Sequence, residues 1–338
     1  MIMKEKKSKA KQAYTKVIKG NKKITSISKA SYQVKPENKL KPKKISEPTA
    51  AYNVNPNKEK DISKYFDIGS QKTCQCEGNK INCLTAKEWL KNQLGVWEFF
   101  YEKRDIRDKE IHPATFPISM AKKVIELFTH QGELVLDPFV GSGTTLVAAQ
   151  DLNRNAVGFD LQQKYIDLCK QRLLNAQLFN TSEQLAIVDD ARNIHQYFKP
   201  QSVKLIWTSP PYANLLNRER KNKSRRDRKN NQLGKVEQYS QDPRDLGTLE
   251  LALYTKQIGD IYESLLPVMR DDGHCVINVP DMWWENKRIT IHVSLIEEMR
   301  KRGYEFRNTI IWDRRNVVNN IGIFGWPSNY ITMGTTFE

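Results

Sequence analysis

The chain has 338 residues, with 55 Lys and Arg against 39 Asp and Glu, a net charge of +16 and 39% hydrophobic residues. This length predicts one large α/β domain or two smaller ones. No run of about 20 apolar residues predicts a membrane span, and the N-terminus lacks the apolar segment of a signal peptide. The five cysteines are too few for a disulfide framework. We therefore expect a cytoplasmic protein with no membrane contact and an acidic partner, most simply nucleic acid.

The positive charge is concentrated at the N-terminus. Residues 1–60 hold 17 lysines and four glutamates with no other acidic or arginine residue, a net +13, so the remaining 278 residues carry only +3. Such a segment buries too little apolar surface to fold, and we expect a basic, largely disordered tail. Its role is either a DNA-binding arm or a solubilising leader. Residues 61–110 are interpreted as an N-terminal extension with an aromatic, amphipathic helix within 84–101.

Residues 111–338 alternate between apolar runs of strand length and amphipathic helical segments. This alternation predicts βαβ units and an α/β, Rossmann-like fold with a mostly parallel sheet. The expected strands cover 133–137, 155–160, 185–189, 203–207, 274–279 and 304–312, and the expected helices cover 145–152, 162–177, 251–269 and 290–301.

One insertion, residues 213–249, has no periodicity. Within it, residues 218–229 contain eight basic and two acidic side chains. A solvated surface is the simpler interpretation of such a run. Because it directly follows a motif at a strand end, we favour a DNA-contacting loop.

The first motif is Asp137-Pro-Phe-Val-Gly141-Ser-Gly143-Thr-Thr145, between a predicted strand and helix. Small residues there let a ligand approach the backbone, and ligands of open α/β sheets bind at the carboxyl ends of strands. The motif has neither the Lys of a phosphate-binding P-loop nor a third Gly of a dinucleotide fingerprint. Asp160 ends the next strand, where a carboxylate binds a ribose diol. Asp189 and Asp190 follow the third strand and are alternative adenine contacts. These acids suit a cationic nucleoside cofactor.

The second motif is Ser209-Pro-Pro-Tyr212, after the fourth predicted strand. The two prolines continue neither a sheet ladder nor a helix, so they stiffen the loop. Ser209 and the Pro210 carbonyl are acceptors for an amino group, and Tyr212 offers a ring for stacking a base.

Together the two motifs resemble those of the S-adenosylmethionine-dependent DNA amino-methyltransferases, the cytosine-N4 and adenine-N6 family, over roughly residues 85–338. His112-Pro-Ala-Thr-Phe-Pro117 is similar to the family segment that packs over the methionine end of the cofactor. The resemblance implies S-adenosylmethionine as cofactor and double-stranded DNA as partner, within a restriction-modification system that includes a cognate restriction endonuclease. It also implies an antiparallel strand near the C-terminal edge of the sheet.

The resemblance assigns two groups of residues. The expected catalytic residues, which clamp the target base, are Ser209, Pro210, Pro211 and Tyr212. The expected cofactor-binding residues are Phe116, Pro117, Asp137, Pro138, Phe139, Gly141, Ser142, Gly143, Thr144, Asp160 and Asp190.

The expected reaction is direct transfer of a methyl group to the exocyclic amino group of a flipped base. Ser at the first clamp position resembles the cytosine-N4 branch more than the adenine-N6 branch, so cytosine-N4 is the leading hypothesis and adenine-N6 the alternative. An RNA substrate ranks third. The chain ends in what looks like the start of a strand, so we expect the fold to be truncated or split there. For this reason an alternative from a different functional class is a DNA-binding protein with an inactive methyltransferase fold.

Weaker signals complete the sequence. Cys74, Cys76 and Cys83 are potential metal ligands, but with His112 as the nearest histidine they lack a fourth, so we expect unpaired thiols and no metal site. Trp283-Trp284 either lines a DNA-binding cleft or packs in the interior, and the sequence favours neither role over the other. Residues 319–327, rich in Gly and aromatic groups, resemble a family loop near the base pocket. Residues 213–249 and 61–110 are the candidates for target recognition.

Overall fold

A computed structural model describes residues 70–93, 95–102, 116–174, 181–216, 242–284 and 287–313. They belong to the compact unit Asn57–Glu338. The predicted tail 1–60, the basic run 218–229, the loop 319–327 and the C-terminal end lie outside the described residues. Among the described residues, no helix has both the length and the apolar character needed to cross a membrane.

The described residues form eleven strands, six α-helices and several 3₁₀ turns. The strands are β1 (Lys80–Ile81), β2 (Leu84–Thr85), β3 (Val96–Glu98), β4 (Leu134–Asp137), β5 (Asn155–Asp160), β6 (Gln184–Val188), β7 (Val203–Thr208), β8 (Met269–Ile277), β9 (Met282–Trp284), β10 (Lys287–Ile289) and β11 (Ile311–Asp313). The helices are α1 (Ala86–Asn92), α2 (Ile118–Phe128), α3 (Thr144–Asp151), α4 (Gln163–Leu174), α5 (Leu251–Leu265) and α6 (Ile291–Lys301).

The core of the fold is a five-stranded sheet in the order β6-β5-β4-β7-β8, and all four strand pairings are parallel. All residues of the central strand β4 and of its neighbour β7 are buried. A parallel sheet has helices on both faces, which is why these strands are mostly apolar, apart from Lys204 and the terminal Asp137 and Thr208. Two hydrophobic clusters, one on each face, cover the sheet. The fold is thus the α/β, Rossmann-like arrangement that the sequence predicted.

The prediction of the central elements from periodicity was accurate. Strand Asn155–Asp160 has the predicted bounds, and the four other sheet strands overlap their predicted ranges. Helix α3 begins one residue earlier than predicted, at Thr144, and α5 ends at Leu265, where a 3₁₀ turn that contains Pro267 follows. Proline lacks an N–H donor and therefore favours this end of the helix.

One local prediction was wrong, and one helix was missed. The helix expected within 84–101 is the seven-residue α1, which lies between strands β2 and β3 in this segment. The predicted strand 304–312 is reduced to Ile311–Asp313, which pairs in parallel with β3 rather than joining the central sheet. Helix α2, Ile118–Phe128, was missed, although its buried residues recur with helical spacing.

Antiparallel pairing occurs outside the central sheet. Strands β9 and β10 form one antiparallel pair, and β1 and β2 form another. The β9–β10 pair lies in the C-terminal part of the chain, between the last sheet strand and helix α6.

Candidate functional site

A pocket lies at the carboxyl ends of strands β4, β5, β6 and β7, where the topology of a parallel α/β sheet places its ligand. The empty space within it measures about 710 Å³, part of which is open solvent. The residues that line it are Pro138, Phe139, Gly141, Asp160, Leu161, Gln162, Tyr165, Asp189, Asp190, Ala191, Arg192, Ser209, Pro210, Pro211, Tyr212, Arg244, Asp245 and Leu246. Both motifs therefore contribute to one cavity.

Asp137 connects the two motifs beneath this pocket. It ends β4 and is buried, and its Oδ1 accepts hydrogen bonds from the Phe139 amide at 3.0 Å and from Thr208 Oγ1 at 2.5 Å. Thr145 Oγ1 donates to the other carboxylate oxygen. Burial raises the pKa of Asp137 to about 6, and these hydrogen bonds oppose the rise. Asp137 therefore fixes the strand ends rather than lining the cavity.

Two glycines shape the loop after β4. Gly141 has a φ of 49° and Gly143 a φ of 84°, a left-handed conformation that favours glycine. Gly143 is also the N-cap residue of helix α3. A Cβ atom at Gly143 would lie 2.2 Å from the Cys169 Sγ atom. The loop can thus adopt its path only with a glycine at this position.

Arg172 holds the same loop from helix α4. Its guanidinium Nη1 donates to the Ser142 carbonyl at 2.7 Å, to the Ser142 hydroxyl at 3.0 Å and to Thr144 Oγ1 at 3.2 Å. The sequence analysis missed this residue. The available signal was a cation within the buried stripe of α4, since Arg172 falls in helical register with Cys169 and Leu173.

Asp160 lies at the end of β5 and lines the pocket. Its Oδ2 accepts from the Gly141 amide at 3.2 Å and its Oδ1 from the Gln162 amide at 2.8 Å. Burial raises the pKa of this carboxyl to about 6, and the two amide hydrogen bonds oppose the rise. A carboxylate has about four acceptor positions, so further donors can bind beside these two.

Asp189 and Asp190 both line the pocket but have different partners. Asp189 accepts from Asn193 Nδ2 at 2.8 Å and from the Tyr197 hydroxyl. Asp190 caps the following 3₁₀ turn and forms an ion pair of 2.8 Å with Arg192. The assignment of the adenine contact between these two acids stays a prediction.

The Ser-Pro-Pro-Tyr segment follows β7 directly. Ser209 Oγ lies 2.8 Å from the Tyr212 hydroxyl, and it donates to the Asn278 carbonyl at 3.2 Å. The Asn278 side-chain amide donates back to Ser209 at 3.4 Å. Asn278 follows β8 and was not among the predicted site residues, although it is a polar residue at a strand end, as Asp137 and Asp160 are.

The structure divides the predicted cofactor residues into three groups. Pro138, Phe139, Gly141, Asp160 and Asp190 line the pocket. Asp137, Ser142, Gly143 and Thr144 form the structure behind that lining. Phe116 and Pro117 are not among the lining residues, and the Phe116 ring instead packs edge-on against Trp207 at a centroid distance of 5.3 Å.

The returning end of the insertion reaches the pocket. Arg244, Asp245 and Leu246 line it, and Asp245 caps the 3₁₀ turn that begins at Leu246. The insertion 213–249 is predicted to contact DNA, and these three lining residues were not among the predicted site residues.

A second cluster corrects the analysis of the cysteines. Cys74, Cys76 and Cys83 lie together with His130, and one ligand atom from each lies within 4.8 Å of all the others. The expectation that these thiols lack a fourth partner was wrong, because it considered only histidines close in sequence. His112 lies outside the described residues.

The parallel sheet and the pocket at its carboxyl edge define an α/β protein that binds a nucleoside-like ligand beside a rigid Ser-Pro-Pro-Tyr loop. A family model described as DNA methylase, of the N6/N4 methyltransferase type, matches residues 1–171, half of the chain. The chain belongs to this family, as the motifs had indicated.

Curated relatives match shorter segments. The Type II methyltransferase M.HpaI of Haemophilus parainfluenzae is 37% identical over 82 residues, which cover 24% of this chain and 26% of that protein. The Type II methyltransferase M.ScaI of Streptomyces caespitosus is 31% identical over 122 residues, 33% of this chain and 39% of that protein. The matches thus span about a quarter to two fifths of these relatives. A solved SAM-dependent methyltransferase from Archaeoglobus fulgidus has 14% identity, covers 63% of this chain and 78% of its own, and has a TM-score of 0.37.

Proposed function

We propose that this protein transfers a methyl group from S-adenosylmethionine to the exocyclic amino group of a base in double-stranded DNA, and that the base is cytosine, modified at N4. The observation that carries the proposal is a single pocket lined both by Asp160 and by Ser209–Tyr212. Family membership supports the methyl transfer to an amino group. The choice of cytosine rests on Ser209 at the first clamp position.

The pocket fits the cofactor by its donor set. Asp160 offers acceptor positions for ribose hydroxyls. The lining carries four carboxylates, those of Asp160, Asp189, Asp190 and Asp245, against the two guanidinium groups of Arg192 and Arg244, and this negative excess favours a cationic ligand over a phosphate. The Gly141–Gly143 turn brings backbone rather than side chains to the ligand. When bound, S-adenosylmethionine supplies an electrophilic methyl group on a positively charged sulfur.

The Ser-Pro-Pro-Tyr segment orients the amino group. The nitrogen lone pair of a base is delocalised into the ring, so the amine is a weak nucleophile. Acceptors at Ser209 Oγ and the Pro210 carbonyl would each take one amino proton in a hydrogen bond and turn the lone pair towards the methyl group. The nitrogen would gain the methyl group as the sulfur–methyl bond breaks with its electron pair left on the sulfur, and one of these amino protons would pass to solvent water. Positioning of both reactants supplies much of the acceleration.

The present arrangement of Ser209 explains how the segment is held before a base arrives. Ser209 hydrogen-bonds to both Tyr212 and Asn278. When a base stacks on Tyr212, its amino group would replace one of these hydrogen-bond partners of Ser209. An extruded base is required because a duplex hides the reactive nitrogen.

The test is nucleoside mass spectrometry of duplex DNA incubated with the purified full chain and S-adenosylmethionine. The expected product is N4-methylcytosine, absent with Ser209→Ala but present with Ser202→Ala, a matched serine at the amino end of the same strand. Both variants should bind S-adenosylmethionine as the parent does.

Each alternative has its own outcome. N6-methyladenine as the product would replace the cytosine assignment while keeping the amino-methyltransferase. Methylation of RNA but not of duplex DNA would change the substrate class. Binding of both ligands with no methylated nucleoside would overturn the activity and indicate a DNA-binding protein with an inactive methyltransferase fold.

A further inference from the structure

We propose that Cys74, Cys76, Cys83 and His130 bind a zinc ion that fastens the N-terminal extension to the methyltransferase sheet. Cys74 Sγ lies 3.3 Å from the Sγ atoms of both other cysteines. His130 Nδ1 lies 3.3 Å from Cys76 Sγ and 3.4 Å from each of the other two sulfurs. Three thiols and one imidazole thus converge on a common centre.

These separations fit a tetrahedral site. Zinc with Zn–S bonds of about 2.3 Å and Zn–N bonds of about 2.0–2.1 Å has its ligand atoms roughly 3.6–3.8 Å apart. The observed 3.3–3.4 Å needs only a small expansion. A disulfide would need sulfurs about 2.05 Å apart, and all three cysteines are free in the structure. Cys74-x-Cys76 is one residue shorter than the usual Cys pair of a zinc site, yet both sulfurs face the centre.

The backbone at Cys83 is an independent observation. Asn82 and Cys83 form the two-residue turn between β1 and β2, with φ values of 51° and 69°. Such turns favour glycine or asparagine, and a cysteine held there costs free energy that other interactions must offset. The turn aims the Cys83 thiol at Cys74 and His130. A metal–sulfur bond would offset this cost.

The charges around the cluster suit the ion. Three thiolates, a neutral imidazole and a divalent cation leave one negative charge. Lys72 lies within electrostatic reach of all three cysteines, and Arg154 of Cys74 and Cys83. The nearby carboxylate of Glu133, which accepts from the His130 amide at 2.6 Å, is paired with Arg270, so Lys72 and Arg154 are left to compensate the negative charge that the complex would carry.

The position of the cluster assigns the ion a structural role. The Thr73 amide donates to the Gln131 carbonyl at 2.8 Å, and the Asn82 side-chain amide donates to the Leu127 carbonyl. Segment 71–83 thus packs on the end of helix α2 and on the turn that precedes β4. The pocket lies at the other end of β4, and this four-residue strand is about 13 Å long. With four protein ligands the ion keeps no open position for a substrate.

The test is metal analysis of the full chain purified without chelators. The expected result is one zinc ion per chain, with Co²⁺ substitution giving the visible bands of a tetrahedral site and thiolate charge-transfer absorption. Zinc should be lost in Cys76→Ser and His130→Ala. It should be retained in His130→Cys, which restores four ligands, and in the controls Cys275→Ala and His195→Gln.

The Co²⁺ spectrum of the unmodified chain keeps the test decisive if a variant fails to fold. Failure of the parent protein to bind either Zn²⁺ or Co²⁺ would overturn the proposal. So would a disulfide among the three cysteines in mass spectrometry of the freshly purified protein, iron in place of zinc, or unchanged zinc content in His130→Ala. None of these results depends on methyl transfer, so they leave the proposed function to its own test.

Discussion

Thr208 Oγ1 donates a hydrogen bond of 2.5 Å to Asp137 Oδ1 and so joins the last residues of the two central strands. Asp137 opens the glycine motif, and Ser209 follows Thr208. The bond lies in the buried interior, where hydrogen bonds are strong and unpaired acceptors are costly. The bond thus links the glycine motif directly to the strand that leads into the Ser-Pro-Pro-Tyr segment.

We expect Thr208→Val to destabilise the protein by about 1–3 kcal/mol, because it keeps the side-chain shape but leaves the buried Asp137 oxygen without this donor. Urea denaturation measures the change in the free energy of unfolding. Thr208→Ser retains the hydroxyl and should recover most of the stability. Equal stability of Thr208→Val and the parent would show that the bond does not hold the strand ends together.

We expect the affinity for S-adenosylmethionine to fall when the pH drops below about 6. Burial raises the pKa of Asp160 to about 6, so acidification protonates this carboxyl, whereas ribose hydroxyls and a cationic sulfur favour its ionised form. Well below that pH the loss approaches about tenfold per pH unit. Isothermal titration calorimetry from pH 5 to pH 8 measures it.

The variant Asp160→Asn should bind the cofactor more weakly at pH 8 and lose this pH dependence. Asp167→Asn is the matched control because Asp167 is exposed on helix α4, and it should keep the parent profile. If the affinity of Asp160→Asn still fell below pH 6, another group would be responsible for the pH dependence. Asp137 would then be the candidate, because burial raises the pKa of this carboxyl to about 6 as well.

We expect Arg172→Met to weaken cofactor binding although Arg172 does not line the pocket. The substitution removes the donor that the Ser142 carbonyl and hydroxyl and Thr144 Oγ1 share, so the glycine loop loses its support. Calorimetry should show a larger Kd. Lys170→Met, which removes an exposed cation from the same helix, should leave Kd unchanged, and identical Kd values for the two variants would contradict the role of Arg172.

We expect Gly143→Ala to destabilise the protein through two separate effects. A non-glycine residue at a φ of 84° costs about 1–2 kcal/mol, and the new Cβ would lie 2.2 Å from Cys169 Sγ. Thermal unfolding of the double variant Gly143→Ala/Cys169→Ala measures the share that is due to the sulfur atom, since it removes the sulfur contact but keeps the backbone strain and the Cβ of residue 169 at 2.9 Å.

The double variant should therefore recover only part of the loss, relative to Cys169→Ala alone. Gly95→Ala is the control, because a Cβ there meets no atom within 4 Å. Full recovery in the double variant would mean that the sulfur contact alone causes the loss, with no contribution from the left-handed conformation at Gly143.

The central sheet and its two motifs could be predicted because their signals are local. Strands β4 and β7 are mostly apolar and buried throughout because both faces are covered, and glycines and prolines mark the turns that follow them. In a parallel sheet the carboxyl ends of the strands share one edge, so the order of the elements alone predicts that the motifs after β4 and β7 meet at one site.

Contacts between distant segments could not be predicted in this way. His130 meets Cys74 across 56 positions, and strand β11 pairs with β3 from the far end of the described chain. Arg172 reaches the glycine loop across 30 positions. The local periodicity of the sequence does not predict these contacts, because each of them depends on how complete helices and strands pack against one another.

The amino-acid sequence by itself determined the α/β alternation, the family and the two motifs that meet at the pocket, because strand burial, glycine turns and proline loops act over a few neighbouring residues. Only the tertiary structure decided which side chains support these motifs, which further residues line the pocket, and that three cysteines and a histidine gather at the opposite end of β4. Those outcomes depend on side-chain contacts, and only packing brings the atoms within reach.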